Sequence, residues 1–343
     1  MSNSDFPDLL GPLAPLQTEP DIMEIVVDAP DRVYIVKSGT AGALVEAGVK
    51  FDSAEALRGV IDAALALGGI KLSPEQSTGE VRLPDGSRLV AVVPPTAVDG
   101  PYLVIRKPDN DVFTWDKLLK IGTLSSEAHT LLMKAIYYRV NILVAGNDGS
   151  GKTYIANLMA ESLPAEARVI VVANAFEMPV RHPRRIHLEV GGPANLSMAG
   201  ILETAAKMRP DWLVIGDMYG PEAMKAVQLM RAGHRTITTL YASSPEDALT
   251  RLESMCLMAN PGLGLTEIRA MVAASIGLIS YQQNFTLPDY RIKVTRIVEV
   301  QGIANDRYLL QPLFTYNIEE GKLEPTDAYE GWAERTRRRI THG

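Results

Sequence analysis

Gly146-Asn147-Asp148-Gly149-Ser150-Gly151-Lys152-Thr153 fits the phosphate-loop pattern G-x-x-x-x-G-K-[ST] at every fixed position. Its flanks supply the context that the chemistry needs. Asn141–Ala145 before it is an apolar run that reads as a buried strand, and Thr153–Leu163 after it sets Ile155, Leu158 and Met159 on one helical face. Glycines let successive backbone N–H groups turn inward around an anion, and the N-terminus of the following helix adds a favourable dipole. In such a loop Lys152 reaches the β- and γ-phosphates of a nucleoside triphosphate, and the Thr153 hydroxyl ligates Mg²⁺. Gly146, Asn147, Gly149, Ser150, Gly151 and Tyr154 complete the expected ATP/ADP-binding set. Asp148 is out of character, because it puts a negative charge beside the phosphates. It either weakens binding or points away.

Downstream, Val169–Val172, Ile186–Val190, Trp212–Ile215 and Thr236–Leu240 read as further strands with helices between some of them, which implies a parallel sheet covered by helices. One apolar strand, Trp212-Leu213-Val214-Ile215, runs through Gly216 into Asp217. A carboxylate in that place suits a metal- or water-positioning role beside the phosphates. The bland alternative is a structural aspartate capping the next turn. Arg291–Val300 and Arg307–Tyr316 alternate as a hairpin or small sheet would.

Upstream, the chain divides differently. Residues 1–20 carry Pro7, Pro12, Pro15 and Pro20, so regular structure is not expected there and the stretch reads as a flexible tail, a docking segment or a disordered leader. Residues 21–108 read as a smaller α+β domain. Strands Ile22–Val27 and Arg32–Lys37 are joined by Asp28-Ala29-Pro30-Asp31, and Asp52 with Glu55 resembles a capping box opening a helix. A hairpin over Val81–Pro94 turns at Asp85-Gly86, and Tyr102–Arg106 adds a strand. Residues 109–124 read as a linker and 125–343 as the phosphate-loop domain with a β/helical extension at its end. The fold class expected is α/β.

Composition narrows the function. The chain has 343 residues, 46% hydrophobic and 22% charged, with a net charge of −7. That acidic balance argues against nucleic acid as the main partner, and a single cysteine, Cys256, fits a reducing compartment. No run approaches the roughly 18 apolar residues that span a bilayer, and the start lacks the basic and apolar segments of a secretory signal. A cytoplasmic protein with at most peripheral membrane contact is expected. Arg335–Arg339 holds four arginines in five positions, read as a solvated helix end or an anionic-lipid contact. His182 and His187 lack the spacing of metal ligands.

Arg209-Pro210-Asp211, the apolar run, Gly216, an acid and Gly220-Pro221-Glu222-Ala223 together resemble the Walker B region of the ATPases that power type II secretion, type IV pili and type IV secretion. The resemblance extends to Asp28–Tyr34, Leu83–Arg88, Val104–Lys107, Asn141–Val144, Gly233-His234 and Ser244–Glu253. It points most closely to the CpaF-like branch, the ATPases of tight-adherence pili. It implies a RecA-like P-loop NTPase domain preceded by a smaller N-terminal domain that closes over ATP and Mg²⁺. It also implies a homo-oligomer, a hexameric ring, at the cytoplasmic side of the inner membrane against a platform protein. By the same resemblance Arg88 and Arg106 are the first-domain arginines that reach the nucleotide's phosphates, a task that suits guanidinium groups.

The departures from the family pattern gather where hydrolysis occurs. The aspartate box, usually apolar residues followed by Glu-Asp and a later Glu, here reads Val171-Val172-Ala173-Asn174-Ala175-Phe176-Glu177. Only Glu177 keeps its carboxylate. The Walker B glutamate is Asp217, the arginine two residues on is Tyr219, and the histidine box reads Thr238-Thr239-Leu240-Tyr241-Ala242. Asp217 reaches about 1.5 Å less far than glutamate, and an error of about 1 Å in placing a reactant costs on the order of 10²-fold. A missing general base costs roughly 10²–10⁴ in rate. Two functions stay open: a secretion or pilus motor with slow hydrolysis, carried by Asp217 and Glu177, or a non-hydrolysing nucleotide-bound scaffold assembling with an intact paralogous ATPase. A small-molecule kinase would leave the first domain unexplained.

Overall fold

The structure, a computed structural model, describes residues 6–37, 43–108, 114–174, 178–190, 196–259, 262–285 and 291–342. It divides into two compact units, Met1–Val112 and Phe113–Gly343.

The first unit is an antiparallel six-stranded sheet with helices on one face. In chain order it holds a 3₁₀ segment Pro7–Leu13, α1 (Ala14–Thr18), β1 (Ile22–Ala29), β2 (Arg32–Lys37), β3 (Leu44–Glu46), α2 (Ala54–Ala66), β4 (Thr78–Arg82), β5 (Arg88–Val92) and β6 (Tyr102–Arg106). The strands lie in the order β3-β2-β1-β6-β5-β4. Period-two alternation buries Ile25, Val27, Leu89, Ala91, Leu103 and Ile105 beneath α2. The helix is capped by Ser53, whose hydroxyl accepts from the Ala56 N–H, one residue later than Asp52.

The proline-rich start departs from expectation. It is not a loose tail: from Phe6 it folds into the two short helices, and Phe6, Leu10, Leu13 and Leu16 are buried in the sheet's core. Pro7 and Pro15 occupy first-turn positions, where proline's missing N–H costs nothing. The leucines at three-residue spacing, set aside for the prolines between them, supply the apolar face. Gln17 is buried too and donates to Asp85 Oδ2 at 2.6 Å and Ser87 Oγ at 2.7 Å, tying the segment to the β4–β5 turn.

In the second unit the chain runs α3 (Trp115–Lys120), α4 (Ser126–Tyr137), β7 (Ile142–Gly146), α5 (Lys152–Glu161), β8 (Val169–Asn174), β9 (Arg185–Val190), α6 (Met198–Lys207), β10 (Trp212–Ile215), α7 (Glu222–Arg231) and β11 (Thr236–Tyr241). It continues through α8 (Pro245–Ala259), α9 (Leu265–Ser275), β12 (Leu278–Phe285), β13 (Arg291–Ala304), β14 (Arg307–Asn317), β15 (Lys322–Pro325) and α10 (Trp332–His342). The stretch expected as linker therefore contains a helix. Thr114 caps α3 by accepting from the Lys117 N–H, and the Trp115 indole donates to Ser162 Oγ at 2.8 Å. So short a helix buries fully only Leu118, which leaves little periodicity to read.

The nine strands are ordered β15-β14-β13-β12-β7-β11-β10-β8-β9. From β12 to β9 each neighbour is parallel, while β13, β14 and β15 extend the sheet antiparallel. Helices cover both faces, so β7 and β10 are buried along their whole length, as strands of a covered parallel sheet are. Ile142 and Val144 face α4 and α5, whereas Leu143 and Ala145 face the α6–α9 side. The strand before the phosphate loop is thus near the centre of the sheet, between β11 and β12.

Two buried charges brace this unit. Glu253 of α8, its side chain 5% exposed, meets Arg269 of α9 at 2.8 Å, and Arg269 reaches Asp306 at 2.7 Å. Glu299 of β13 is held by Arg335 of α10 at 3.3 Å, so one of the terminal arginines serves packing. Cys256 lies one turn beyond Glu253 and is fully buried; burial pushes its thiol up to about 12. Among the described residues no helix is long and apolar enough to cross a membrane.

Candidate functional site

Parallel sheets bind ligands beyond the carboxyl ends of their strands, near the point where the connections change direction. Here β7 is followed in the chain by β8, three places away on one side, while β12 lies on the other. The loop at the end of β7 stands at that point. The loop can form only because its glycines are glycines. A Cβ on Gly146 would lie 2.4 Å from both the Gln282 carbonyl oxygen and Ser150 Oγ. Gly151, the N-cap of α5, has a φ of 79°, in the left-handed region that a side chain disfavours.

Lys152 opens α5 and is only 4% exposed. Its Nζ donates to the Asn147 carbonyl at 2.9 Å and lies 3.7 Å from the centroid of the Tyr241 ring, a cation–π contact of about 0.5–2 kcal/mol. Burial pushes Lys152 below the ordinary lysine range, against the pull of Asp217 and then Asp148. Thr153 follows it half-buried in the first turn, with Tyr154 beside Gly151. Ser150 Oγ is buried with no hydrogen-bond partner among the described residues.

Asp148 neither points away nor stands alone. Its Oδ1 accepts from the Gly149 N–H at 3.0 Å and from the Tyr241 hydroxyl at 3.3 Å. Asp217 follows β10 by two residues and is 8% exposed. Its Oδ2 accepts from the Tyr219 hydroxyl at 3.5 Å, while its Oδ1 is buried with no partner among the described residues. The carboxylate of Glu222, not Asp217, caps the following turn, accepting from the Tyr219 and Gly220 N–H groups at 2.6 Å and 2.9 Å. The bland alternative for Asp217 therefore loses its main support.

Tyr219 and Tyr241 are the residues whose role the sequence did not disclose. Their rings meet at 5.8 Å between centroids with a 31° tilt. Burial, then Asp217 and Asp148, pushes the Tyr241 hydroxyl above the usual phenol range. Ala173 is buried at the end of β8 and offers no carboxylate. Glu177, the acid expected to survive from the aspartate box, lies outside the described residues.

Arg88 and Arg106 belong to the first unit, where they are direct cross-strand partners on β5 and β6. Arg82 faces Arg88 on one side and Glu24 faces Arg106 on the other, a row of three guanidinium positions on one face of the sheet. Arg88 pairs with Glu80 at 2.8 Å, and Arg106 lies 3.6 Å from Glu24.

No group of three or more His, Cys, Asp or Glu among the described residues could by itself hold a metal ion. His182 has a structural role: Nε2 lies 3.1 Å from the Pro164 carbonyl and Nδ1 accepts from the Arg184 N–H. Magnesium needs less from a protein, since it keeps waters and phosphate oxygens and takes one or two side-chain oxygens. The unpartnered Oδ1 of Asp217 and the Thr153 hydroxyl beside the phosphate loop fit that demand.

The model of the family described as type II/IV secretion system protein matches residues 8–291. A putative conjugal transfer protein of Mycobacterium tuberculosis is 25% identical over 284 residues, covering 78% of each chain. The type IV secretion system protein PtlH of Bordetella pertussis is 28% identical over 302 residues, covering 79% of this chain and 88% of its own. Among solved structures, the pilus retraction motor PilT with bound ADP aligns with a TM-score of 0.59 at 15% identity, over 96% of this chain and 87% of its own. The fold is that of a RecA-like ATPase domain with an N-terminal domain before it.

Proposed function

This chain belongs to the type II/IV secretion system protein family, and from that premise we propose that it binds ATP and Mg²⁺ as the ATPase subunit of a pilus or secretion machine of the tight-adherence type. It works as a homo-oligomeric ring with slow turnover; a six-membered ring at the cytoplasmic face of the inner membrane, against a platform protein, is the arrangement that the family resemblance implies. The observation that carries the reading is the buried Lys152 set beside the unpartnered carboxylate oxygen of Asp217.

The chemistry follows from the residues. The loop amides and the α5 N-terminus orient the phosphate chain, and Lys152 offsets its charge in a poorly hydrated place, where a charge counts for more than in water. Thr153 and Asp217 would hold Mg²⁺, which neutralises charge on the phosphate oxygens. Arg88 and Arg106 would approach the phosphates when the first unit closes, exchanging Glu80 and Glu24 for phosphate oxygens. Asp217, at the end of β10, then orients the attacking water, since Ala173 cannot. With its reach shorter than glutamate's by about 1.5 Å, hydrolysis is slow.

A second reading, a nucleotide-bound scaffold beside an intact paralogue, is favoured by the tyrosine ring lying over Lys152. Steady-state phosphate release by the purified chain separates the two. Turnover near about 1 s⁻¹ that disappears in Lys152→Ala supports the motor. ATP binding without turnover leaves the scaffold, and the absence of both refutes the nucleotide reading.

A further inference from the structure

The ammonium group that should meet the last two phosphates already has company. Lys152 Nζ donates to the Asn147 carbonyl at 2.9 Å, and the Tyr241 ring covers it at 3.7 Å. A phosphate oxygen must approach such a nitrogen to about 2.8 Å, so a phosphoryl group cannot share the side that the ring occupies. That side borders the end of β10, where a third phosphate would lie: the Tyr241 ring meets that of Tyr219, whose hydroxyl donates to Asp217 Oδ2 at 3.5 Å. A shorter phosphate chain still has the loop amides and the α5 N-terminus to bind it.

The ring is braced in place. Tyr219 stacks against it, and the backbone of Tyr219 is fixed by the carboxylate of Glu222. The Tyr241 hydroxyl donates to Asp148 Oδ1, the oxygen that also takes the Gly149 N–H. The loop thus turns one of its own amides toward a carboxylate of the chain. Asp148 accepts from the Tyr241 hydroxyl and Asp217 from that of Tyr219, and both carboxylates repel the extra negative charge that distinguishes a triphosphate from a diphosphate.

We propose that Tyr241, backed by Tyr219 and Asp148, occupies the third-phosphate position, so that this site selects a nucleoside diphosphate over a triphosphate. The inference rests on the nucleotide-binding reading above but not on hydrolysis.

Competition of ADP and of a non-hydrolysable ATP analogue against a fluorescent ADP, on the full chain with Mg²⁺, tests it. The expected result is a preference for ADP of about tenfold or more. Tyr241→Ala and Tyr241→His should bring the analogue to within about threefold of ADP while leaving ADP binding nearly unchanged, and Tyr241→Phe, which keeps the ring, should retain the preference. Equal or tighter binding of the analogue by the unaltered chain overturns the inference while leaving nucleotide binding intact. So does a Tyr241→Ala chain that loses both ligands equally. Binding of neither nucleotide by the unaltered chain overturns the functional reading itself, and this inference with it.

Discussion

Consider the replacement of Arg269 by methionine. The guanidinium touches both oxygens of Glu253, at 2.8 Å and 3.4 Å, and bonds to Asp306 on the β13–β14 turn. Methionine keeps much of the apolar stem and removes the charge. Removing one partner of a buried pair costs about 3–5 kcal/mol, because the remaining charge is left uncompensated. The contribution from Asp306 is small, about 0–1 kcal/mol, since its side chain is 68% exposed. We take the lower end, about 3 kcal/mol, because the site borders a surface turn through which water can reach Glu253. The chain's single cysteine reports the effect. Cys256 lies one turn from Glu253 on α8, fully buried, with its thiol pushed up to about 12 from 9.0. At pH 8 it stays protonated in the fold and reacts only when the segment opens. A loss of about 3 kcal/mol raises the open fraction about 10²-fold, and the alkylation rate should rise by the same factor. A change below about threefold in rate, with destabilisation under about 1 kcal/mol by urea unfolding, would refute the assignment of this pair as a brace.

Gly146→Ala should abolish nucleotide binding and cost about 1–3 kcal/mol, because its Cβ would lie 2.4 Å from Gln282 and Ser150 atoms; titration with fluorescent ADP and thermal unfolding check both parts. Alkaline pH should move two readouts in opposite directions. Lys152 sits below its ordinary 10.5, so stability of the free chain rises as pH passes from the lowered value toward 10.5, relieving the burial of charge, while nucleotide affinity falls as the same proton leaves; parallel changes across that window would count against the lysine's role. Asp217→Glu should raise phosphate release by about 10–10²-fold, if reach limits the reaction, and an unchanged rate would show that it does not.

The phosphate loop, the strand before it and the helix after it were legible because a local pattern and its periodicity coincide. The parallel strands showed as apolar runs for the same reason. The start of the chain was not legible, since proline was weighed as a breaker while Leu10, Leu13 and Leu16 carried the apolar face that docks on the sheet. The helix Trp115–Lys120 was hidden by its brevity, which leaves Leu118 as its one fully buried residue. At the site, the resemblance picked out Tyr219 and Tyr241, but not the meeting of their rings or the place of Tyr241 over Lys152. Residues 152, 219 and 241 meet through the order β7-β11-β10, which joins strands far apart in sequence and leaves no trace in local composition. Asp148 offered a choice between weakening binding and pointing away, and its bond to Tyr241 keeps it at the site.

The substituted positions share an address. Ala173, Asp217 and Tyr241 stand at or just beyond the carboxyl ends of β8, β10 and β11, on the rim of the sheet, while the residues that fill its interior lie further back along the same strands. Rim and interior are therefore separable traits. A descendant can rewrite the reacting edge one side chain at a time without repacking the sheet beneath it, and an engineer could place new carboxylates on that rim by the same route.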